Sequence, residues 1–332
     1  MGRFVMNARE NLVQQALEGL EVSDGDLVRL NRDPDFVTRA EPARDEVAVV
    51  SGGGSGHEPL HTGFVGRGML HAAVPGDVFA SPTALQVRAA IEATDTGRGT
   101  VLIIKNYTGD VLNFSIAADL LSNTHTVETV LVDDDLATSS EEEGGPGRRG
   151  TAAVVVTEKV CGAAAAEAGA SVDRVRDLGR KVVSRSATLG MSFRAPTNPL
   201  TGLRSFELEE GEVEFGVGIH GERGIETRRP SGEAADLVES LASPLVEALG
   251  LDRGAPVLAV VNGLGATHGL ELSVAAFELR RFLEGKGLSL ERTLVGPYVT
   301  SLDMKGFSIT LTALDDELTE LWDAPVHTPA LR

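Results

Sequence analysis

Apolar positions come in short runs separated by glycine-rich or acidic breaks, and their spacing changes along the chain. In residues 8–20, Leu12, Val13, Ala16, Leu17 and Leu20 recur at helical spacing on one face. Val47-Ala48-Val49-Val50 is a continuous β-branched run that predicts a buried strand. Residues 101–104 and 129–132 predict two more strands, with a helix over 111–121 between them. Residues 151–168 and 171–186 predict two helices, and the polar, glycine-rich stretch 141–150 before them predicts an exposed loop. This alternation indicates an α/β domain built on a largely parallel sheet.

Pro196, Asn198, Pro199 and Gly202 interrupt regular structure within 187–212, which places a domain boundary near 187. Beyond it the pattern predicts a strand with alternating glycines over 214–220, a helix over 233–249 and a strand over 257–261. A helix over 270–283 and strands near 293–300 and 307–313 complete a second α/β unit. The expected organisation is therefore an N-terminal α/β domain, 1–186, and a C-terminal α/β domain, 187–332.

Composition narrows the function classes. At 332 residues the chain has room for two ordinary cores. A formal net charge of −19 excludes nucleic acid and anionic membranes as expected partners. No apolar run has the length of a membrane span, and the first residues lack the apolar core of a secretory signal, so a cytoplasmic location is expected. Lysine occurs only at Lys105, Lys159, Lys181, Lys286 and Lys305 among 30 basic residues. Such acidity with few lysines fits a surface kept soluble at high salt, and a GC-rich genome would also favour arginine. Cys161 is the single cysteine, and its apolar surroundings predict a buried, inert thiol.

Three segments could carry chemistry. Ser51-Gly52-Gly53-Gly54-Ser55-Gly56-His57-Glu58-Pro59 follows the first strand; its glycines permit close backbone approach to a small polar ligand, with His57 at the mouth. No Gly-Lys-Ser/Thr closes it and its spacing is not that of a dinucleotide fingerprint, so a plain glycine turn remains the alternative. Ile103-Ile104-Lys105-Asn106-Tyr107-Thr108-Gly109-Asp110 again lies at the carboxyl end of a strand, the edge where ligands bind in open α/β sheets. There Asp110 is either a helix N-cap or a carboxylate placed to accept a proton. In Gly216-Val217-Gly218-Ile219-His220-Gly221-Glu222, His220 is either an exposed turn residue or an accessible nucleophile. The other histidines, His61 among them, show no ligand spacing, so no metal site is expected. Asp133-Asp134-Asp135 either caps an element, is solvated, or binds a divalent cation.

Taken together, SGGGSGHEP at 51–59, GFVGRGML at 63–70, LIIKNYTGD at 102–110, EFGVGIHGE at 214–222, NGLGAT at 262–267, TSLDMKGFSITL at 300–311 and WDAPVHTPAL at 322–331 resemble the dihydroxyacetone-binding K-subunit family of dihydroxyacetone kinases. The resemblance spans nearly the whole chain. It implies that family's fold, two α/β domains with the substrate site between them. It also implies a covalent hemiaminal between His220 and the ketone carbon of dihydroxyacetone, with Gly54, Ser55, Gly56, His57 and Lys105 contacting the polyol. Asp110 becomes the expected base on the terminal hydroxyl, assisted by His57. No nucleotide-binding loop is evident, so no cofactor is expected on this chain; ADP or ATP with magnesium is expected on a separate L subunit. The resemblance further implies a homodimer and an L subunit recharged from phosphoenolpyruvate through a phosphohistidine-bearing M subunit. Two relatives of the same fold stand as alternatives: a non-catalytic dihydroxyacetone-sensing coregulator, and a kinase for a related ketose such as erythrulose.

Overall fold

The computed structural model describes residues 4–138 and 147–332, so the part of the predicted loop at 141–146 lies outside the described residues. The chain divides into two compact units. The first takes in residues up to Val132, Val154–Val182 and Glu317–Arg332; the second takes in Asp133–Ala153 and Val183–Asp316. This corrects the expectation of two continuous domains. The chain passes from the first unit to the second close to the predicted point at 187, but it also crosses at three other places.

The first unit holds α1 (Leu12–Asp24), β1 (Val28–Asn31), β2 (Phe36–Arg39), β3 (Ala48–Ser55), β4 (Ala72–Val78), α2 (Ala84–Thr94), β5 (Thr100–Lys105), α3 (Thr108–Leu121), β6 (Val127–Val132), α4 (Ala153–Ala165) and α5 (Val172–Ser184). Its sheet runs in the order β1-β2-β4-β3-β5-β6. The four strands β4, β3, β5 and β6 are mutually parallel, and β1 and β2 extend the edge antiparallel. From β3 the chain goes to β4 on one side and later to β5 on the other. Strand order therefore reverses at β3, which opens a crevice outside the carboxyl ends of β3 and β5.

Two helix layers cover this sheet for different sequence reasons. Val87, Ala90 and Ile91 of α2 and Phe114, Ala117 and Leu121 of α3 pack with Val50, Val74, Leu102 and Ile104. Helix α4 is buried along its whole length and reads as apolar on every side, except for Thr157, Glu158 and Lys159. Close approach is built in at Gly162, where a Cβ would lie 2.3 Å from Met69 Cα, and at Gly179, where it would lie 2.8 Å from Cys161 Sγ. Lys159 turns its Nζ to the carbonyl of Leu321, 2.7 Å away, and so ties the last helix, Asp316–Asp323, to α4.

The glycine row predicted as a loop is mostly strand. β3 continues to Ser55, since a Cβ on Gly52 would meet Val74 O at 2.4 Å and one on Gly54 would meet Ala80 N at 2.7 Å. Those glycines serve close packing of β3 against the chain at 74–80.

The second unit holds β7 (Ser186–Arg194), β8 (Val213–Phe215), β9 (Glu226–Arg228), α6 (Ala234–Ala248), β10 (Pro256–Gly263), α7 (Gly269–Lys286), β11 (Ser289–Gly296) and β12 (Lys305–Ala313). Its order is β11-β10-β12-β7-β8-β9, and only β10 and β11 pair in parallel. This sheet is α/β but mainly antiparallel. Its core joins Leu189, Met191, Val257, Val261, Ile309 and Leu311 to Leu241, Leu245, Leu279 and Leu283 of α6 and α7.

Strand β7 lies where the sequence reading placed a break. Ala187, Leu189 and Met191 alternate with Thr188, Gly190 and Ser192, a period-2 pattern hidden by the small residues. The predicted strand at 214–220 stops at Phe215, and the chain turns at Gly216, whose φ is 76°. Among the described residues no helix is long and apolar enough to cross a membrane.

Because the atoms facing Gly162 are backbone, they have no side chain to swing away. We expect Gly162→Ala to force α4 from the segment at 69, destabilising the protein by about 1–3 kcal/mol. A lowered urea midpoint with an unchanged slope would show it.

Candidate functional site

The crevice at the ends of β3 and β5 contains a buried cluster of ionisable side chains. Lys105 is the last residue of β5 and has no exposed surface. Its Nζ lies 3.3 Å from Gly52 O, 2.7 Å from His61 Nε2 and 3.8 Å from Asp110 Oδ2. Asp110 is in the first turn of α3, not at its N-cap, which is Tyr107; its side chain points into the protein. Asp110 is therefore not the helix N-cap, because a cap would sit outside the helix and face the N2 or N3 amide.

Gly53 makes room for this cluster. A Cβ there would lie 2.5 Å from Lys105 Nζ, 3.4 Å from Asp110 Oδ2 and 3.5 Å from His61 Nε2. Of the glycine row, Gly53 is therefore the member whose missing side chain faces the charges. Ser55 spends its hydroxyl on Gly76 O at 2.7 Å, and the Gly56 N–H donates to the Glu58 carboxylate at 3.1 Å. His57, expected at the mouth of a loop, is fully buried and stacks on Phe79 with ring centroids 5.2 Å apart.

Two members of the cluster were not singled out from the sequence. His61 was set aside for lack of ligand spacing, yet its ring sits between Lys105 on Nε2 and Glu158 on Nδ1, with Nδ1 to Oε1 at 2.6 Å. Ser51 Oγ is 3.0 Å from the same Nδ1 and donates its proton to Ile103 O. Glu158 arrives from α4 and has no exposed surface. A Glu-Lys pair in a helix whose other residues are small or apolar apart from Thr157 was the available signal, because such a helix is buried and its charges must then find partners inside.

Burial dominates the electrostatics. It pushes Glu158 up to about 8, against the opposing pull of Ser51 and Lys105. It lowers Lys105, although Asp110 and Glu158 favour the ammonium. It holds His61 well below the ordinary histidine range, aided by the positive charge of Lys105, so the ring is a neutral imidazole. Such an arrangement can bind a small polar molecule, orient its hydroxyl and take a proton from it.

His220 belongs to the second unit, in the turn that follows β8. Its backbone N–H donates to Glu222 Oε2 at 2.9 Å. Glu222 Oε1 pairs with Arg149 Nη1 at 2.9 Å, and Arg149 also donates from Nη2 to Gly216 O at 3.0 Å and from Nε to Asp135 Oδ2 at 2.8 Å. One guanidinium thus clamps both ends of the turn that carries His220. The alternating glycines have a specific role here: a Cβ on Gly218 would fall 2.0 Å from Glu222 Oε1 and 2.6 Å from Arg149 Nη1. Asp135 is pushed up to about 6 by burial, with Arg149 opposing.

Within the acidic run after β6, Asp133 is exposed, while Asp134 and Asp135 are buried. Asp134 accepts from the Thr151 N–H at 2.6 Å, the Thr151 hydroxyl at 2.7 Å and the Ala153 N–H at 3.0 Å, and also from the Thr188 hydroxyl. Among the described residues no group of His, Cys, Asp or Glu is arranged to hold a metal. Cys161 is buried and its thiol is pushed far up, as an inert side chain should be.

Comparison with known proteins connects these features. The Dak1 domain model matches residues 18–330. A curated relative from Escherichia coli (strain K12), the dihydroxyacetone-binding subunit of a PEP-dependent dihydroxyacetone kinase, is 43% identical, with 98% of each chain covered. Among solved structures, the dihydroxyacetone kinase of C. freundii superposes with a TM-score of 0.88 at 35% identity, covering 99% of this chain and 60% of that one. A dihydroxyacetone kinase operon co-activator also superposes with a TM-score of 0.88, at 32% identity, covering 95% of this chain and 96% of that one.

Removing the clamp should loosen the His220 turn. We expect Arg149→Met to leave the buried Asp135 carboxylate without its cation and to cost about 3 kcal/mol. Hydrogen exchange at residues 217–222 should accelerate more than in the core strands β10 and β12; equal protection there would refute the clamp.

Proposed function

The chain belongs to the Dak1 domain family, and from that premise we propose that it is the dihydroxyacetone-binding subunit of a dihydroxyacetone kinase. Besides family membership, the observation that carries this reading is the buried Lys105–Asp110 pair at the carboxyl edge of β3 and β5, with Gly53 vacating the space beside it. A small polyol needs charged and hydrogen-bonding groups held in fixed positions, and a phosphoryl acceptor needs a carboxylate within reach of its hydroxyl.

In this reading His220 adds a ring nitrogen to the ketone carbon. The N–C bond forms from the lone pair of the unprotonated ring nitrogen as the carbonyl π pair moves to oxygen, and the proton lost from the other ring nitrogen balances the one gained by that oxygen. The product is a hemiaminal, a bond open to ketones and closed to glycerol, which has no carbonyl. The Arg149–Glu222 clamp supports the role by fixing the backbone on both sides of His220. Lys105 and His57 orient the bound polyol together with Gly54, Ser55 and Gly56. Asp110 takes the proton of the terminal hydroxyl as that oxygen attacks the phosphoryl group.

The phosphoryl group comes from a partner L subunit that carries ADP or ATP with magnesium, recharged from phosphoenolpyruvate by an M subunit. The name of the Escherichia coli relative supports phosphoenolpyruvate as the ultimate donor. We propose a cytoplasmic homodimer as the working form. A second reading, a dihydroxyacetone-sensing coregulator, draws support from the co-activator structure. Lys105, Asp110 and His57 beside the glycine row favour catalysis, because a sensor has no use for a base.

Two measurements test this reading. Incubation with dihydroxyacetone should raise the intact mass by one adduct, and His220→Ala should abolish it; an adduct that survives in the variant removes His220 as nucleophile. Reconstituted with L and M subunits, the protein should form dihydroxyacetone phosphate from phosphoenolpyruvate, while Asp110→Asn should keep the adduct and lose turnover by about 100-fold or more. Adduct without turnover in the wild type would favour the sensor.

A further inference from the structure

The Lys105–His61–Glu158 chain goes beyond what binding a polyol requires. Three ionisable groups from three separate segments meet around one imidazole, with short contacts on both ring nitrogens, 2.7 Å to Nζ and 2.6 Å to Oε1. Side chains of all three are almost wholly buried, and Glu158 Oε2 has no hydrogen-bond partner. A carboxylate retained only for packing would have both oxygens satisfied.

The geometry permits two proton arrangements with the same total charge. In the first, Lys105 is an ammonium donating to Nε2, the ring proton sits on Nδ1, and Glu158 is a carboxylate accepting it. In the second, Lys105 is an amine whose lone pair accepts from Nε2–H, and Glu158 is a neutral acid donating to Nδ1. One proton passes from Nζ to Nε2 while another passes from Nδ1 to Oε1. No atom enters or leaves, the imidazole remains neutral, and nothing is oxidised or reduced.

We propose that Glu158, acting through the two nitrogens of His61, sets the charge on Lys105 by this paired proton transfer, and that Glu158 and His61 are positioning residues for the pair Lys105–Asp110. The consequence falls on Asp110, 3.8 Å from Nζ. An ammonium in that place forms an ion pair with the carboxylate; an amine leaves the carboxylate without a cation. Shifting the Lys105 proton to Glu158 therefore removes the cation that pairs with Asp110 without opening the site to water.

Burial acts in the same direction on all members, raising Glu158 and lowering Lys105 and His61, which favours the uncharged arrangement. The groups facing the trio are Ser51 on Nδ1, His57 near the His61 ring, Asp110 and the Gly52 carbonyl on Nζ, and the inert Cys161 thiol near Glu158. Of these only Asp110 brings a negative charge, so Glu158 is the one carboxyl that reaches Lys105 through the ring.

This role rests on the proposed kinase function for its purpose, but its first test does not. With histidine labelled by nitrogen-15, and His61 assigned by loss of its signals in His61→Asn, the ring should be in the Nε2–H form near neutral pH. It should pass to the Nδ1–H form, still neutral, once Glu158 gives its own proton to solvent around pH 8, because the carboxylate then accepts from Nδ1–H and leaves Nε2 to accept from Lys105. Glu158→Gln should abolish that crossing. A ring that keeps one tautomer from about pH 6 to about pH 10 in the wild type, or crosses unchanged in the variant, would overturn the proposal.

The second test is the pH profile of dihydroxyacetone phosphate formation. Glu158→Gln should keep the His220 adduct, which shows that the protein is folded, and should displace the alkaline limb by about one pH unit or more. A coincident limb would show that Glu158 does not govern Lys105. Absence of turnover in the wild type would strike the kinase reading alone, and the tautomer measurement would still decide the proton chain.

Discussion

A lysine buried without exposed surface at the end of a parallel strand is the constraint from which much of the first unit follows. Moving such a charge out of water is unfavourable unless it is paired and hydrogen-bonded, or gives up its proton. The fold supplies partners from every side. The Gly52 carbonyl comes from β3, His61 from the segment after it, Asp110 from the first turn of α3, and Glu158 reaches the cluster through His61 from α4. Shifting any one of these elements would strand a charge, so α3, α4 and the adjacent strands are fixed relative to each other by electrostatics as well as by apolar packing.

The second unit repeats this device with different residues. Arg149 joins Asp135, Glu222 and the Gly216 carbonyl, and Gly218 has no side chain where that pair must lie. In the first unit Gly53 has none where Lys105 Nζ must lie. Both glycines therefore act by the volume they leave vacant, and the occupant is a charged side chain of this protein. A methyl group at either position would run into the charged side chains that occupy the space.

How much of this was legible in the sequence depended on range. The strands ending at Ile104 and Val132, the helices at 233–249 and 270–283 and the site residues Lys105, Asp110 and His220 all came from local pattern or short motifs. β7 escaped because Thr188, Gly190 and Ser192 weaken the contrast of its alternation, and the prolines that follow suggested a break. Pairing in the second sheet was unreadable, because direction depends on which distant strand β12 meets. His61 and Glu158 escaped for the same reason: they are 97 positions apart, and nothing in either segment announces the other. Only the presence of charge in an otherwise apolar helix pointed toward α4.

The Arg149 clamp also has a bearing on engineering. Besides its side-chain bonds, Arg149 closes a local ring through its backbone: the Asp135 N–H donates to Arg149 O at 3.0 Å and the Arg149 N–H donates to Thr138 Oγ1 at 2.9 Å. Thr138 and Arg149 are therefore held together at one pinned point. Lengthening a segment whose ends are already held together costs only about 0.6 kcal/mol for each doubling. A peptide tag or fluorescent reporter spliced between those residues would be tethered to the same guanidinium that steadies the His220 turn, so its signal would report the state of that turn.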